Sequence, residues 1–363
     1  ENYIIRSHFC WILLLQKHTT IFERSQKNIS NCLGGFCMSE HVIAVTNQKG
    51  GVGKTTTVYH VAWMLSEMGI KSIAIDLDPQ SNLTSMFLSD DRLETIYESE
   101  EPCTVLNSIS PIISGDPYEP VHIEPITSKL GLILGDLALS TFEDKLSDAW
   151  LKCLDGDAYS FRIMSIFNTI INDAAQRFHA KYILIDVGPN LGAINRAVLL
   201  SSDYMIIPVA SDLFSLQGIK NIGATLHTWK RQWDKRLEQK PAKTTFTIPN
   251  GNIKPAGYIV MQYSAKESRP VQSYLRWANR IPRIFKEYVL NDNIPTNYTV
   301  ENDPNCIGLL KHYRSLAPMS MEAHKPIFLL KPADGAIGAH LYAVKKSYEE
   351  FQLFTENILT HCK

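Results

Sequence analysis

The sequence predicts an α/β fold in which a doubly wound, mostly parallel sheet is flanked by helices. Three observations favour this fold class. Short apolar runs alternate with longer amphipathic stretches, which is the pattern of strand–helix–strand units. A glycine-rich turn joins the first run, residues 42–45, to the first amphipathic stretch. Acidic residues end two later runs, at 71–78 and 182–186, where the carboxyl ends of parallel strands would form a binding crevice.

Residues 41–57, HVIAVTNQKGGVGKTTT, carry the most specific motif in the chain. A strand, a glycine-rich loop and a helix in this order predict a phosphate-binding loop, and hence a fold of the P-loop NTPase type. Backbone N–H groups converge there on one anion, and the helix N-terminus adds partial positive charge. Lys54 can reach the β- and γ-phosphates, and the Thr55 hydroxyl can ligate Mg²⁺. The expected nucleotide-binding residues are Lys49, Gly50, Gly51, Val52, Gly53, Lys54, Thr55 and Thr56.

The motif departs from its usual form, because Gln48 takes the place of the first glycine and Lys49 follows it. This deviant version with two lysines resembles the ParA/MinD/Soj family of dimeric ATPases, and in particular its ParA/Soj-type partition members. The resemblance covers about residues 40–90 and 180–360. It implies that Lys49 crosses a dimer interface to the partner's nucleotide.

Residues 71–80, KSIAIDLDPQ, also resemble the family, through the pattern D-x-D-P-Q. The resemblance implies that Asp78 orients the attacking water. From the residues alone, an aspartate before Pro79 would more simply belong to a turn or a helix cap. Its place at the end of a strand beside the phosphate loop favours the catalytic role. The candidate catalytic residues are therefore Lys49, Lys54 and Asp78, with the lysines offsetting the charge that develops during in-line attack on the γ-phosphate.

Residues 182–190, YILIDVGPN, form a Walker-B-like strand in which four apolar residues precede Asp186. A carboxylate at this position lies near Mg²⁺ and contacts it through water. The family often has two prolines where this chain has Gly188 and Pro189. We therefore expect ATP and Mg²⁺ as cofactors, with Thr55 and Asp186 as the metal-site residues.

The remaining elements have weaker signals. We expect strands at 130–134, 205–209, 256–261 and 327–330, and helices at 140–154, 161–179, 215–240 and the C-terminus. Residues 88–128 are expected to form a variable surface insertion, because the five prolines there exclude a long helix. Either a partner-facing loop or a solvated connection fits this segment.

We expect residues 1–37 to be an N-terminal extension outside the fold and residues 38–363 to form one ParA-like domain. A membrane-surface or partner-binding segment is the alternative for 1–37, whose apolar run at 9–15 is shorter than most signal-peptide cores. No apolar run approaches the ~18–20 residues of a membrane helix. The seven scattered cysteines contain no C-x-x-C pair, which favours reduced thiols in the cytoplasm.

The net charge of −1 gives no overall attraction to nucleic acid, so any DNA site must be a local patch. Residues 266–286 contain six basic residues against one glutamate. Arg276, Arg280 and Arg283 follow an i, i+4, i+7 spacing and could share one helix face. Pro282 leaves two shorter helices as the alternative. An ordinary solvated helix surface is the alternative to a DNA-binding patch.

Other branches of the family fit this chain less well. The family's reductases hold an iron–sulfur cluster with paired cysteines, but no cysteine closely follows the Walker-B-like strand here. MinD-type members end in a basic amphipathic membrane helix, whereas residues 348–363 carry three glutamates and one lysine. We therefore expect no membrane partner.

The resemblance thus implies a ParA-type ATPase that hydrolyses ATP and forms a homodimer in the ATP state. It would bind nonspecific DNA, and so associate with the nucleoid. A ParB-like adaptor or another protein would stimulate it during plasmid or chromosome partitioning or related cargo positioning. The alternative hypothesis is an ATP-switched regulator that binds a protein and has no DNA role.

Overall fold

The computed structural model describes residues 40–263, 265–266, 269–270, 272–293 and 297–363. The expected extension at 1–37 lies outside these residues. Within them, a mostly parallel sheet lies between two layers of helices, which confirms the fold class expected from the sequence.

The strands of the described residues are short. They are β1 (His41–Val45), β2 (Ser72–Leu77), β3 (Glu124–Pro125), β4 (Leu130–Ile133), β5 (Tyr182–Val187), β6 (Tyr204–Val209), β7 (Lys254–Tyr263), β8 (Ala265–Lys266), β9 (Arg269–Pro270) and β10 (Cys306–Lys311). Eight of them form one sheet in the order β10-β7-β6-β1-β5-β2-β4-β3, in which only the β3–β4 pair is antiparallel. β8 and β9 form a separate antiparallel pair.

The helices follow the strands in the order typical of doubly wound folds. They are α1 (Lys54–Glu67), α2 (Asn82–Phe87), α3 (Asp90–Tyr97), α4 (Val105–Ser114), α5 (Phe142–Lys152), α6 (Ala158–Met164), α7 (Ile166–Phe178), α8 (Ala193–Leu200), α9 (Leu213–Leu237), α10 (Gln272–Ala278), α11 (Ile281–Ile284), α12 (Leu316–Glu322) and α13 (Ala339–His361). A π-helical turn (Phe285–Val289) follows α11, and short 3₁₀ turns lie at Leu137–Thr141, Cys153–Asp155, Ile327–Leu329 and Pro332–Asp334.

Both faces of the sheet are buried. Val42 and Ala44 of β1 belong to one hydrophobic cluster, and Ile43 and Val45 belong to another. The first cluster includes residues of α4 to α9, and the second includes residues of α1, α2 and α13. Because successive side chains of a strand point to opposite faces, burial of both faces requires the continuous apolar runs seen in the sequence.

The segment 88–128 is more ordered than a solvated loop. It contains α3, α4 and β3, and it contributes buried Ile96, Ile109 and Val121 to the core clusters. Its helices are short, 8 residues for α3 and 10 for α4, as expected from the prolines, although Pro111 lies inside α4. Burial of the apolar face of α4, including Ile109, accounts for the helix despite the proline, since tertiary packing can outweigh local propensity.

The helix expected at 161–179 is divided into α6 and α7. The division falls at Ser165, whose hydroxyl donates to the Phe161 carbonyl at 2.7 Å. Serine side chains compete with helix continuation by bonding to nearby backbone groups, which fits a break at this residue.

The strand expected at 327–330 was also wrong, because residues 327–329 form a 3₁₀ turn. The sheet edge is instead formed by β10, which the sequence analysis did not identify. A short buried apolar run does not distinguish a strand from a buried turn. Placement of β10 depends on distant packing, since a Cβ at Gly308 would lie 2.7 Å from the ring of Phe354 on α13.

The basic segment 266–286 does not form one helix. α10 ends at Ala278 and α11 begins at Ile281, so the alternative of two shorter helices is correct. The break lies just before Pro282, which occupies the first turn of α11, where a proline is tolerated.

A buried histidine connects α1 to the C-terminal part of the chain. His60 Nδ1 lies 2.8 Å from the Thr56 carbonyl, so it carries the proton, and Nε2 accepts from the Ile327 backbone N–H at 3.3 Å. The ring stacks on Phe351 of α13 with centroids 4.6 Å apart. Burial lowers the pKa of His60 to about 4, although the hydrogen bond to Thr56 opposes the shift. Near neutral pH the folded protein therefore contains a neutral His60.

The lowered pKa of His60 predicts a loss of stability in mild acid. Between pH 6.5 and about 4 the unfolded histidine binds a proton that the folded one does not, so the free energy of unfolding should fall as pH falls, by up to about 1.4 kcal/mol per pH unit. His60→Phe keeps an aromatic ring against Phe351 and does not titrate. Chemical denaturation at several pH values should give a flatter curve for His60→Phe, whereas His227→Phe on the exposed side of α9 serves as the control. Equal slopes for wild type and His60→Phe would contradict the prediction.

Candidate functional site

The glycine-rich loop adopts the backbone conformation that its sequence requires. Gly51 and Gly53 have φ angles of 69° and 82°, in the left-handed region that side chains disfavour. A Cβ at Gly53 would also collide with the end of the Met261 side chain. Gly53 is the N-cap of α1, so the loop delivers its backbone to the positive end of that helix. This arrangement is suited to an anion.

Lys54 extends from the first residue of α1 into a buried position, with 6% of its surface exposed. Burial lowers the pKa of Lys54 from its ordinary value, and the charges of Asp186 and Asp78 oppose that change. Phosphate oxygens are negatively charged, as these carboxylates are, so they could also bind the buried ammonium of Lys54.

Asp186 lies at the end of β5, next to the first turn of α1. Its Oδ2 accepts a hydrogen bond from the Thr55 hydroxyl at 2.6 Å. Its Oδ1 is buried and has no hydrogen-bond partner within the described residues. Burial raises the pKa of Asp186 well above its ordinary value, and the charge of Asp76 raises it further. A hydroxyl and an unpartnered carboxylate oxygen fit Mg²⁺, which prefers oxygen ligands and retains several waters.

The D-x-D sequence places two buried carboxylates beside Asp186. Asp76 lies opposite Asp186 in the β2–β5 register. It accepts from both the backbone N–H and the hydroxyl of Thr84, each at 2.8 Å. Burial raises the pKa of Asp76 to about 7, although the Thr84 hydrogen bonds oppose the shift. Asp78 is 6% exposed, and its Oδ1 accepts from the Gln80 N–H at 3.0 Å.

Sequence reasoning selected Asp78 and missed Asp76. An acid inside the apolar run of β2 was the available signal, because a charge in that position needs partners. In the structure Asp76 connects β2 to α2 through its hydrogen bonds to Thr84. The Thr84 hydroxyl also accepts the Gly135 N–H, after β4, at 2.9 Å.

Lys49 does not point into the same space as Lys54. Its Nζ lies 2.5 Å from Asp212 Oδ2, just before α9, and its side chain is 34% exposed. Its backbone N–H donates to Asn47 Oδ1 at 3.0 Å, which fixes the start of the loop. Asp212 was not identified from the sequence, because it is 163 residues away in the chain.

A cavity of about 540 Å³ lies against the glycine-rich loop. Residues 50–56 and Asp78 line it at the loop, and Lys49 is absent from the described residues that line it. Its other lining residues include Lys311, Tyr313 and Met321. These three were not expected from the sequence, because they come from the end of β10, the residues after it and α12. The cavity brings Lys54, Thr55, Thr56 and Asp78 together around one space.

The three candidate DNA-binding arginines are exposed but have different surroundings. The guanidinium carbons of Arg276 and Arg280 lie 5.3 and 5.0 Å from the ring centroid of Trp277. Arg283 Nε lies 3.6 Å from Glu287. Two of the arginines therefore flank one aromatic ring, and the third has an acidic neighbour.

Among the described residues, no helix combines the length and apolar character needed to cross a membrane.

Known proteins support the interpretation of this geometry. The protein-family model described as "AAA domain" matches residues 40–239, more than half of the chain. An uncharacterised protein of Methanocaldococcus jannaschii is 31% identical over 260 residues, covering 72% of this chain and 86% of that protein. Chromosome partitioning protein ParA of Caulobacter vibrioides is 27% identical over 266 residues, covering 73% of this chain and 84% of that protein.

A solved structure shows the same fold. The crystal structure of protein DIP2308 from Corynebacterium diphtheriae matches with a TM-score of 0.66 and 23% identity, covering 89% of this chain and 98% of that chain. The deviant loop with two lysines, the buried carboxylates at the strand ends and these matches agree with one another. The chain belongs to the AAA-domain family over residues 40–239 and is a ParA-type P-loop ATPase.

Proposed function

We propose that this protein is a partition or positioning ATPase that binds Mg²⁺-ATP, pairs with a second copy and binds DNA without sequence preference. Hydrolysis, stimulated by a ParB-like adaptor or another protein, would then separate the pair. The observation that carries the proposal is the unpartnered Asp186 Oδ1, on a carboxylate bonded to the Thr55 hydroxyl in the helix turn that follows the anion-binding loop. These groups would be incomplete without a cation and a phosphate chain.

The positions of the side chains support the nucleotide roles that we propose. Residues 50–56 would surround the phosphates with backbone N–H groups, and Lys54 would bind the β- and γ-phosphate oxygens. Thr55 and Asp186 would hold Mg²⁺, Asp186 through water. When bound, the metal ion would neutralise charge on the phosphates. Asp78, buried at the cavity wall, would orient the attacking water.

The Lys49 side chain points away from the nucleotide cavity of its own chain, which supports a role at the nucleotide site of a second copy. Its ammonium is held by Asp212, away from the cavity that Lys54 enters. A charge placed there could reach the nucleotide of a second copy and stabilise the negative charge of the transition state. ATP would then join two subunits, and hydrolysis would weaken the contact.

The proposed DNA contact centres on Arg276 and Arg280. Both guanidinium groups are exposed around Trp277, and neither has a carboxylate partner in the recorded ion pairs of the described residues. Arg283 would add a weaker contact because Glu287 offsets its charge. Phosphate contacts of this kind carry no base information, so binding would not depend on sequence.

A second candidate function is an ATP-switched protein regulator without a DNA role. It is favoured by the acidic surface of α3 and the residues after it. The exposed acids there are Asp90, Asp91, Glu94, Glu98, Glu100 and Glu101. Such a surface would repel DNA and could contact a basic protein partner. DNA binding measured with ATP and with ADP separates the two candidates.

The two lysines of the loop should have separable effects. Lys54→Ala should abolish ATP binding, because it removes the ammonium that faces the phosphates. Lys49→Ala should leave ATP binding by the monomer within about threefold of wild type but prevent ATP-dependent pairing. Fluorescent-nucleotide titration and sedimentation velocity with Mg²⁺-ATP would measure both quantities. A normal ATP dimer of Lys49→Ala, or wild-type affinity of Lys54→Ala, would contradict these roles.

If the three arginines bind DNA phosphates, their substitution should change the salt dependence of DNA binding. Arg276→Ala should remove one phosphate contact per subunit, and the plot of log K against log salt should lose about 2 units of slope in a dimer. The loss should be equal on unrelated duplexes, and ATP turnover without DNA should remain. Lys152→Ala, which removes an exposed charge from α5, is the matched control. Unchanged affinity and slope in Arg276→Ala, Arg280→Ala and Arg283→Ala would favour the protein regulator.

A further inference from the structure

A continuous series of hydrogen bonds connects helix α3 to the turn that carries Asp78. The hydroxyl of Tyr97, the last residue of α3, donates to the Gly135 carbonyl at 2.7 Å. The Gly135 N–H donates to the Thr84 hydroxyl at 2.9 Å, and that hydroxyl donates to Asp76 Oδ2 at 2.8 Å. The other oxygen of this carboxylate, Oδ1, accepts the backbone N–H of Asp78 at 3.3 Å. We call Tyr97, Gly135, Thr84, Asp76 and Asp78 the Tyr97–Asp78 network.

The middle of the network is buried and closely packed. Asp76 is 0% exposed and Thr84 is 1% exposed, so water cannot replace a partner that either of them loses. A Cβ at Gly135 would lie 2.8 Å from Ser81 Oγ and 2.9 Å from Asp76 Cγ. The backbone of Gly135 therefore lies directly against the carboxylate and the turn, and it leaves little room for Asp76 to move.

The Asp76 carboxylate bonds to both ends of the turn that carries Asp78. It accepts the Asp78 N–H at the start of the turn and the Thr84 N–H, at 2.8 Å, in the helix that follows. Between these two points Ser81 has a φ angle of 52°, in the left-handed region that side chains disfavour. A residue other than glycine keeps such a conformation only where its surroundings hold it. The bonds to Asp76 supply that support.

Helix α3 gives the network a fixed outer end. Near the start of this helix, Arg92 Nε and Nη2 donate to the two carboxylate oxygens of Glu124 at 3.0 and 2.9 Å. At its last residue, burial and then the charges of Asp76 and Asp136 raise the pKa of Tyr97 to about 12. The Tyr97 hydroxyl therefore keeps its proton near neutral pH and can donate it to the carbonyl of residue 135.

We propose that Thr84 and Tyr97 are positioning residues for ATP hydrolysis, because their hydrogen bonds hold Asp78 in the place from which it orients the attacking water. The inference rests on the proposed function, which gives Asp78 that role. Neither Thr84 nor Tyr97 is among the described residues that line the nucleotide cavity. An oriented water matters mainly in the transition state, so loss of the network should lower kcat and leave ATP affinity unchanged. Through α3, the segment 88–128 thereby contributes to the rate of hydrolysis.

Two substitutions of Thr84 separate its hydroxyl from its packing. Thr84→Val keeps the shape but leaves the Gly135 N–H without an acceptor and Asp76 Oδ2 with one donor fewer. The kcat of Mg²⁺-ATP hydrolysis should fall about tenfold, while fluorescent-nucleotide titration should give an affinity within about twofold of wild type. Thr84→Ser keeps the hydroxyl, so its kcat should stay within about twofold of the wild-type value.

Tyr97→Phe tests the outer end of the network and remains informative if Thr84→Val does not fold. It removes one hydrogen bond between neutral groups, so kcat should fall about 2- to 10-fold with unchanged ATP affinity. Tyr159→Phe is the matched control, because the Tyr159 hydroxyl of α6 also donates to a backbone carbonyl, that of Ile113 at 2.6 Å, outside the network. Tyr159→Phe should keep the wild-type kcat. Thermal unfolding of both variants shows whether their stabilities are matched.

The outcomes separate this inference from the proposed function. If the wild-type chain hydrolyses ATP and either Thr84→Val or Tyr97→Phe keeps its kcat, the positioning role of that residue is overturned and the proposed function stands. Equal losses of kcat in Thr84→Ser and Thr84→Val would also overturn the inference, because the hydroxyl would not be the cause. So would a loss of ATP affinity with an unchanged kcat. A wild-type chain that does not hydrolyse Mg²⁺-ATP would overturn both.

Discussion

Three carboxylates and one ammonium are buried together where β2 and β5 end and α1 begins. Asp76 and Asp186 are fully buried on adjacent strands, and Asp78 and Lys54 are each 6% exposed. Burial raises the pKa values of Asp76 and Asp186, and the neighbouring carboxylates raise them further, because charges in a medium of low polarity are costly without a compensating charge. In the proposed function, a cation at the unpartnered Asp186 oxygen would supply the compensating charge.

The glycine-rich loop could be predicted because its conformation is dictated locally. Gly51 and Gly53 have positive φ, and Lys54 and Thr55 begin a helix, so the spacing of the residues fixes where their side chains lie. Asp212 could not be predicted in the same way, because its ion pair with Lys49 spans 163 residues, which a single sequence does not reveal. For Asp76 the sequence showed an acid inside an apolar run, but its place beside Asp186 comes from the β2–β5 register.

The fold shows the same division between local and distant causes. The central strands are buried on both faces and read as continuous apolar runs, so they were predicted within one or two residues. β10 at the sheet edge was missed and the strand expected at 327–330 was wrong, because packing against α13 and His60 determines these segments. Lys49 shows how this affects function: its sequence position identified it, but only the structure shows its ion pair with Asp212.

The central claim is that Asp186 awaits a cation that arrives with ATP. Its most direct test is calorimetric titration of ATP into the nucleotide-free chain near pH 7, with and without Mg²⁺, for the wild type and for Asp186→Asn. The account predicts that Mg²⁺ tightens ATP binding by the wild type, because the cation would offset the charges of the phosphates and of the buried Asp186 carboxylate. Asp186→Asn should lose most of that gain. Equal affinity of the wild type with and without Mg²⁺, or the same gain in Asp186→Asn, would contradict the account.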